Sequence, residues 1–522
     1  MKRTTISLIA TTVALAAVTG FAALTAPDSG SAAEAKAPAR MPVERSSLLC
    51  PAPSGSELSE TAYTAFTPAG KTGAAKDGAA NESKAELKPS AAPLAAPDTE
   101  TEPKKDGAKA PDAAKGVKKP GQDKALLALK EPGKPAAAKA SGGEAPALVG
   151  TATGSLAPGW TAQQTTTVTA GGARGLLGVS CTAPDTDFWF PGASTAEARQ
   201  DYVHLTNPDA TPAVADIELY GKDGTLKTTL TEGIPVPAGS SVPVLLSTLT
   251  ADPAGDVTVH VTTRTGRVGA VVRAADDKTG SDWLAAAADP SGTVVLPGIP
   301  ADATSVQLVA FAPGDDDADL KVQLAGATGR ITPAGHETLH VKSGMTAAVD
   351  LRDVTKGEAG SLILSPAQSG RATPVVAALR VVRGKGDKQE VAFIPATVPV
   401  GERATAADNR AKGSTLSLTA PGAAAQVKVI ASAGTEGGTQ VVRTYTVKAG
   451  TTLAVPPPPV PAGLKGSYAL TVETVSGGPV HASRTLALPQ DGIPMFTVQT
   501  LPDDRGTVAV PEAEQDLSVL GD

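Results

Sequence analysis

The chain has 522 residues with 44 Pro, 54 Gly and only 3% aromatic side chains, a composition suited to several domains with modest cores rather than one large enzyme-like globule. Its formal charge of -7 provides no positive field to gather nucleic acid or an anionic membrane, so neither is expected as a partner of the folded part.

In chain order, Lys2 and Arg3 precede an apolar run from Ile6 to Leu24, and the small residues Ser31, Ala32 and Ala33 follow. Residues 1–33 therefore read as a signal peptide cleaved before Glu34. The apolar run is also long enough to cross a hydrocarbon layer of roughly 30 Å, so an uncleaved transmembrane anchor is the alternative. In both cases the positive end stays inside, and the rest of the chain is expected to be extracellular or in the cell envelope. It would touch the membrane only through this segment.

Cys50 and Cys181 are the only two cysteines. In an exported chain an even pair reads as one disulfide, here tying the first strand of a domain to its last. Between them, residues 71–145 carry no aromatic side chain and no Ile, and read as a disordered Ala/Lys/Pro-rich insertion.

Three later stretches superpose at a period of roughly 105 residues. Each opens with a strand that ends at a turn: YVHLTNPD from Tyr202, VQLVAFAPG from Val306 and LSLTAPG from Leu416. Alternating strands come next, ADIELYGKDG from Ala215, DLKVQLAGATG from Asp319 and AQVKVIASAG from Ala425, followed by strands entered through V-x-[AS]-G turns at Val236, Val341 and Val447. Each copy then runs to a strand ending at Arg273, Arg380 or Arg484. The period-2 alternation with frequent turn signals predicts an all-β chain of tandem immunoglobulin-like antiparallel β-sandwiches. The expected domains are 196–292, 296–398 and 405–510, preceded by a degenerate first sandwich at 43–195 that carries the insertion. In that first copy SLLCPAPSG is matched to the opening step, and GLLGVSCTAPDTDFWF to GRVGAVVRAADDKTGSDWL, with Trp189 opposite Trp283.

Residues 336 to 340 spell HETLH, the five-letter form of a zinc-peptidase helix. The motif requires His336 and His340 on one helical face, with Glu337 as general base. The repeats place this run opposite strands and turns, where two histidines four residues apart lie roughly 13 Å from each other. A plain edge strand is the expectation, and His336 and His340 stand as the candidate ligands for zinc. Asp315, Asp316 and Asp317 read as a solvated hairpin tip, with calcium coordination as the alternative. His204, His260 and His481 sit singly on strands as structural histidines. The tryptophans read as buried anchors, and Phe188, Trp189 and Phe190 form the candidate platform for a glycan.

The boxes SSLLCPAP, SCTAPDTDFWFPG, DYVHLTNPD, ADIELYGKDG, GRVGAVVR and SDWL, with the export segment, resemble an uncharacterised family of exported actinobacterial proteins known only as a domain of unknown function. The resemblance runs from about residue 43 to the end apart from the spacer, and it implies no activity, ligand or catalytic residue. The expected function is a non-catalytic cell-envelope protein, a β-sandwich scaffold or binding module for an unknown envelope protein or polysaccharide, without a cofactor. The alternative is an exported zinc metallopeptidase built on HETLH.

Overall fold

Along Ala213–Gly221 the side chains of Ala213, Ala215, Ile217 and Leu219 are buried, while Glu218 is exposed and Asp216 and Tyr220 are half-buried. This is the pleat of a strand with one face on a core, and it recurs in the chain's other strands. The computed structural model describes residues 39–70, 83–91, 124–229, 232–368 and 372–510. The described residues are nearly all β, in antiparallel sheets. They divide into two units. The smaller holds a ribbon in which Ala39–Pro42 pairs with Thr507–Val510. The larger, Val43–Gly506, holds four two-sheet sandwiches, here called I to IV.

Sandwich II shows the plan. One sheet runs Asp187–Ala193, Val257–Thr265, Ala213–Gly221 and Gly224–Thr225, with Ile234–Val236 also on Ala213–Gly221. The other runs Ser241–Leu245, Tyr202–Thr206, Gly269–Asp276 and Gly280–Leu284. Sandwich III repeats this order with Val294–Ile299, Gly360–Pro366, Ala318–Ala325 and Arg330–Ile331 against Thr346–Asp350, Ala303–Phe311, Val376–Lys385 and Lys388–Pro395. Sandwich IV does so with Arg403–Asn409, Tyr468–Gly477 and Ala425–Gly434 against Thr451–Val455, Ser414–Ala420, His481–Ala487 and Phe496–Thr500. The superposition of the three copies read from the sequence is thus also a superposition of strands. In each, the opening strand pairs with a strand late in the same sandwich, as Asp187–Ala193 does with Val257–Thr265, rather than with its immediate successor, which distinguishes the order from that of an immunoglobulin constant domain.

Sandwich I follows the same order, with Arg45–Cys50, Leu148–Thr153, Lys84–Pro89 and Leu127–Leu129 against Ala136–Ser141, Ser59–Phe66, Thr161–Val168 and Gly175–Ser180. Two expectations are corrected here. Within 71–145, residues 84–89, 127–129 and 136–141 are strands, held by Leu87, Leu127 and Leu129, all buried in the core of I; residues 71–82 and 92–123 of the expected insertion lie outside the described residues, as do residues 1–33. The match of the first copy was also one strand out of register. GLLGVS is the last strand of I and DFWF lies on the first strand of II, so Trp189 and Trp283 are not equivalent positions.

The sandwiches close on themselves. Their last strands, Gly175–Ser180, Gly280–Leu284, Lys388–Pro395 and Phe496–Thr500, each contact the next in cyclic order, and the fourth returns to the first. Around this axis, the first strand of each sandwich packs on the penultimate strand of the following one: Arg45–Cys50 on Gly269–Asp276, Asp187–Ala193 on Val376–Lys385, Val294–Ile299 on His481–Ala487, and Arg403–Asn409 on Thr161–Val168. Every seam has an apolar filling. Leu177 and Val179 of I meet Val271 and Trp283 of II, Phe393 and Val391 of III join the core of II, Phe496 and Val498 of IV join the core of III, and Phe66 of I meets Ala407 and Ala469 of IV. The ends of the unit come together as well, Val43 N–H donating to the Gly506 carbonyl at 3.1 Å.

Candidate functional site

HETLH is a turn followed by a strand. His336 N–H donates to the Pro333 carbonyl, and Thr338–Val341 pairs with Ala318–Ala325, setting His340 opposite Asp319. Leu339 and Val341 turn inward to the core of III, which leaves His340 outward and more than half exposed. Glu337 Oε1 accepts the Gly335 N–H at 2.9 Å, and this bond holds its carboxyl below the ordinary range. The two imidazoles therefore share no helical face.

The outward side of this hairpin forms an open cavity of about 450 Å³ lined by Asp315, Asp316, Asp317, Asp319, His340, Gln368 and Thr373. Two features singled out separately in the sequence, the acidic tip and His340, meet in it. His340 Nδ1 lies 2.8 Å from Asp319 Oδ1, and Nε2 3.6 Å from Asp317 Oδ2. Asp317 is itself fixed, because its Oδ1 accepts the Ser343 N–H at 2.9 Å and its carbonyl accepts the Thr373 hydroxyl at 3.0 Å. The cavity thus presents a surplus of carboxylate oxygens, suited to a donor-rich partner: a cation, an amide or a sugar hydroxyl. Among the described residues no group of three or more His, Cys, Asp and Glu side chains is arranged to hold a metal ion.

The aromatic box is buried, which corrects the expectation of a glycan platform. Phe188 and Phe190 face the core of II, and Trp189, 8% exposed, fills the seam with III. Its ring stacks on His260 at 3.6 Å and on Phe311 at 5.5 Å. The first strand of a sandwich is covered on both faces here, one by its own core and one by the neighbour, so neither set of side chains is free. His260 is held in turn between Asp187, 3.1 Å away, and Glu218, 3.4 Å away. Trp160 lies in the core of I, and Trp283 meets His204 edge-on at 5.2 Å in the seam of I and II. Burial drives the His204 imidazole down to about 3 and that of His481 to about 4, so both are neutral in the fold.

Cys50 and Cys181 are joined, the first ending the opening strand of I and the second directly following its last. The seams contain polar groups for which sequence reading had no signal. Asp408 of IV accepts the Thr165 hydroxyl of I at 2.8 Å, its N–H donates to Gln163 Oε1, and Arg484 donates to the same oxygen at 3.0 Å. Arg380 of III donates to Thr279 and Asp276 of II. Arg380 and Arg484 are two of the arginines that recur on the penultimate strand of a sandwich, within Val376–Lys385 and His481–Ala487; both cross a seam, and a lone buried arginine on a strand has no local pattern that announces it.

A family model described as "Family of unknown function (DUF5719)" matches residues 136–458, more than half of the chain. The comparison with curated proteins gives no match.

Proposed function

The chain belongs to the family of unknown function DUF5719, and we propose that it serves as a non-catalytic, exported protein of the cell envelope. In this reading it is a rigid ring of β-sandwiches that presents loops at sandwich ends to an envelope protein or polysaccharide. The observation that carries the reading is where the polar chemistry goes. The buried ionisable groups Asp201, Asp282, Glu390, Asp408 and Arg484 are hydrogen-bonded in or between sandwiches, and the open cavity offers acceptors without a nucleophile oriented by a base. Export is supported by the disulfide, which fits an oxidising compartment, and by the charged and apolar N-terminal pattern. That sandwich arrays commonly serve adhesion or scaffolding is an analogy of fold.

The zinc-peptidase alternative has the letters of HETLH in its favour and the geometry of the turn and strand against it. The two readings separate in one preparation. Residues 41–522, purified without a metal-binding tag, are tested for saturable binding to isolated wall polysaccharide and wall protein fractions and for metal by mass spectrometry. The proposal expects such binding, weakened by Asp315→Asn/Asp317→Asn if the open cavity is the contact. One zinc per chain, lost in His336→Ala/His340→Ala and accompanied by peptide hydrolysis, would replace it with the peptidase.

A further inference from the structure

Two carboxyl groups meet at the axis of the ring. Asp282, on the last strand of II, accepts at Oδ1 the Gly178 N–H of I at 2.9 Å and the Thr497 hydroxyl of IV at 3.2 Å. Glu390, on the last strand of III, accepts at Oε1 the Leu176 N–H of I at 2.9 Å. Side chains from II and III therefore hold the backbone of Gly175–Ser180, the inner strand of I. Both side chains are fully buried, and Asp282 Oδ2 and Glu390 Oε2 are without a hydrogen-bond partner among the described residues.

Among the described residues Glu390 has one cation at ion-pair distance and Asp282 has none. Asp282 faces Glu390, a like charge, and the guanidinium of Arg484, which donates to Gln163 and also faces Asp408, Arg410 and Tyr468. Glu390 faces Arg174, whose Nη1 is 3.6 Å from Oε2 while Nη2 donates to the Gln389 carbonyl, and Arg383, which pairs with Asp302. An ionised carboxylate with one dry oxygen, no direct counter-ion for Asp282 among the described residues and a like charge beside it is expensive in such a site, whereas the neutral acid keeps the same N–H acceptor.

We propose that the axis is a pH-sensitive clamp: Asp282 and Glu390 carry protons in the closed ring, and their ionisation loosens the inner strand of sandwich I from the other three. Burial supports this, raising Glu390 to about 8 and Asp282 well above its ordinary value. The sign follows from linkage. The closed ring binds protons that the open chain releases near its ordinary carboxylate range, so closure is strongest in mild acid and weakens as pH rises through about 8.

The test is amide hydrogen exchange on the full chain between pH 5.5 and 8.5, corrected for the intrinsic pH dependence, reading peptides that cover residues 175–180. Protection there is expected to fall by about tenfold or more across that range, the response to one pK unit of linked protonation. In Asp282→Asn/Glu390→Gln it is expected to stay high and independent of pH. Unchanged protection in the native chain, or the same fall in the double variant, overturns the clamp. Should the double variant not fold, infrared spectroscopy of the native chain at pH 7 decides: the carbonyl band of a buried carboxylic acid, absent at pH 9.5, supports the proposal, and its absence at pH 7 overturns it.

Discussion

The Thr165 hydroxyl donates to Asp408 Oδ2 at 2.8 Å across 243 residues of sequence, joining the first sandwich to the last. Asp408 also accepts from Thr64, pairs with Arg410, and donates its own N–H to Gln163 Oε1. It is fully buried, so removing it strands several donors and the neighbouring charge of Arg484. Asp408→Ala is expected to cost about 3–5 kcal/mol, the scale for breaking a buried ionic network on one side, read from the denaturant midpoint at pH 7.

The disulfide closes a loop of sequence separation 131 that runs from the end of the first strand of sandwich I to just past its last. In the chain-entropy account, a loop of this length contributes about 4–5 kcal/mol. Cys50→Ala/Cys181→Ala is expected to lower stability by that order, and reduction of the native chain should match it. A loss below about 1 kcal/mol would show that the seams hold sandwich I without the bond.

Gly178 lies where a β-carbon would run into the Thr497 side chain, its Cγ2 and, at 2.7 Å, its Oγ1. Gly178→Ala is expected to cost about 1–3 kcal/mol by overpacking the axis. Adding Thr497→Ala removes both obstructing atoms and is expected to recover part of the loss. Additive losses would place these strands apart.

His481 Nδ1 is 2.9 Å from the Thr397 carbonyl, and burial lowers its pKa to about 4. A histidine depressed in the fold binds a proton more readily when unfolded. Its contribution is therefore present above about 6.5 and is lost as pH falls toward about 4. The difference in melting temperature between the native chain and His481→Gln should shrink over that interval. A constant difference would contradict a neutral buried imidazole.

Much of the fold was legible because strands announce themselves by period 2. The arginine-ending strands at Arg273, Arg380 and Arg484 aligned correctly, and the cysteines read as first and last strand of one domain. What was illegible depends on neighbours distant in sequence. Lys84–Pro89 is polar and short, and it becomes a strand because Leu148–Thr153 and Leu127–Leu129 pair with it on either side. DFWF has the composition of an exposed aromatic platform, and the seam between II and III buries it. The HETLH hairpin was readable as a strand, since its repeat partners carried Pro and β-branched residues, but its meeting with the acidic tip required the turn at Gly314 to fold back. Asp282 and Glu390 have no local signature, because only closure of the ring brings them to the inner strand of I.

The closed ring is tested most directly by a double-mutant cycle between Thr165→Val and Asp408→Ala, with unfolding free energies measured on residues 43–506. Direct contact across the first and last sandwiches predicts a coupling energy of about 0.5–3 kcal/mol. Losses that add to within about 0.3 kcal/mol would mean that the two residues do not meet and that the four sandwiches form an open string.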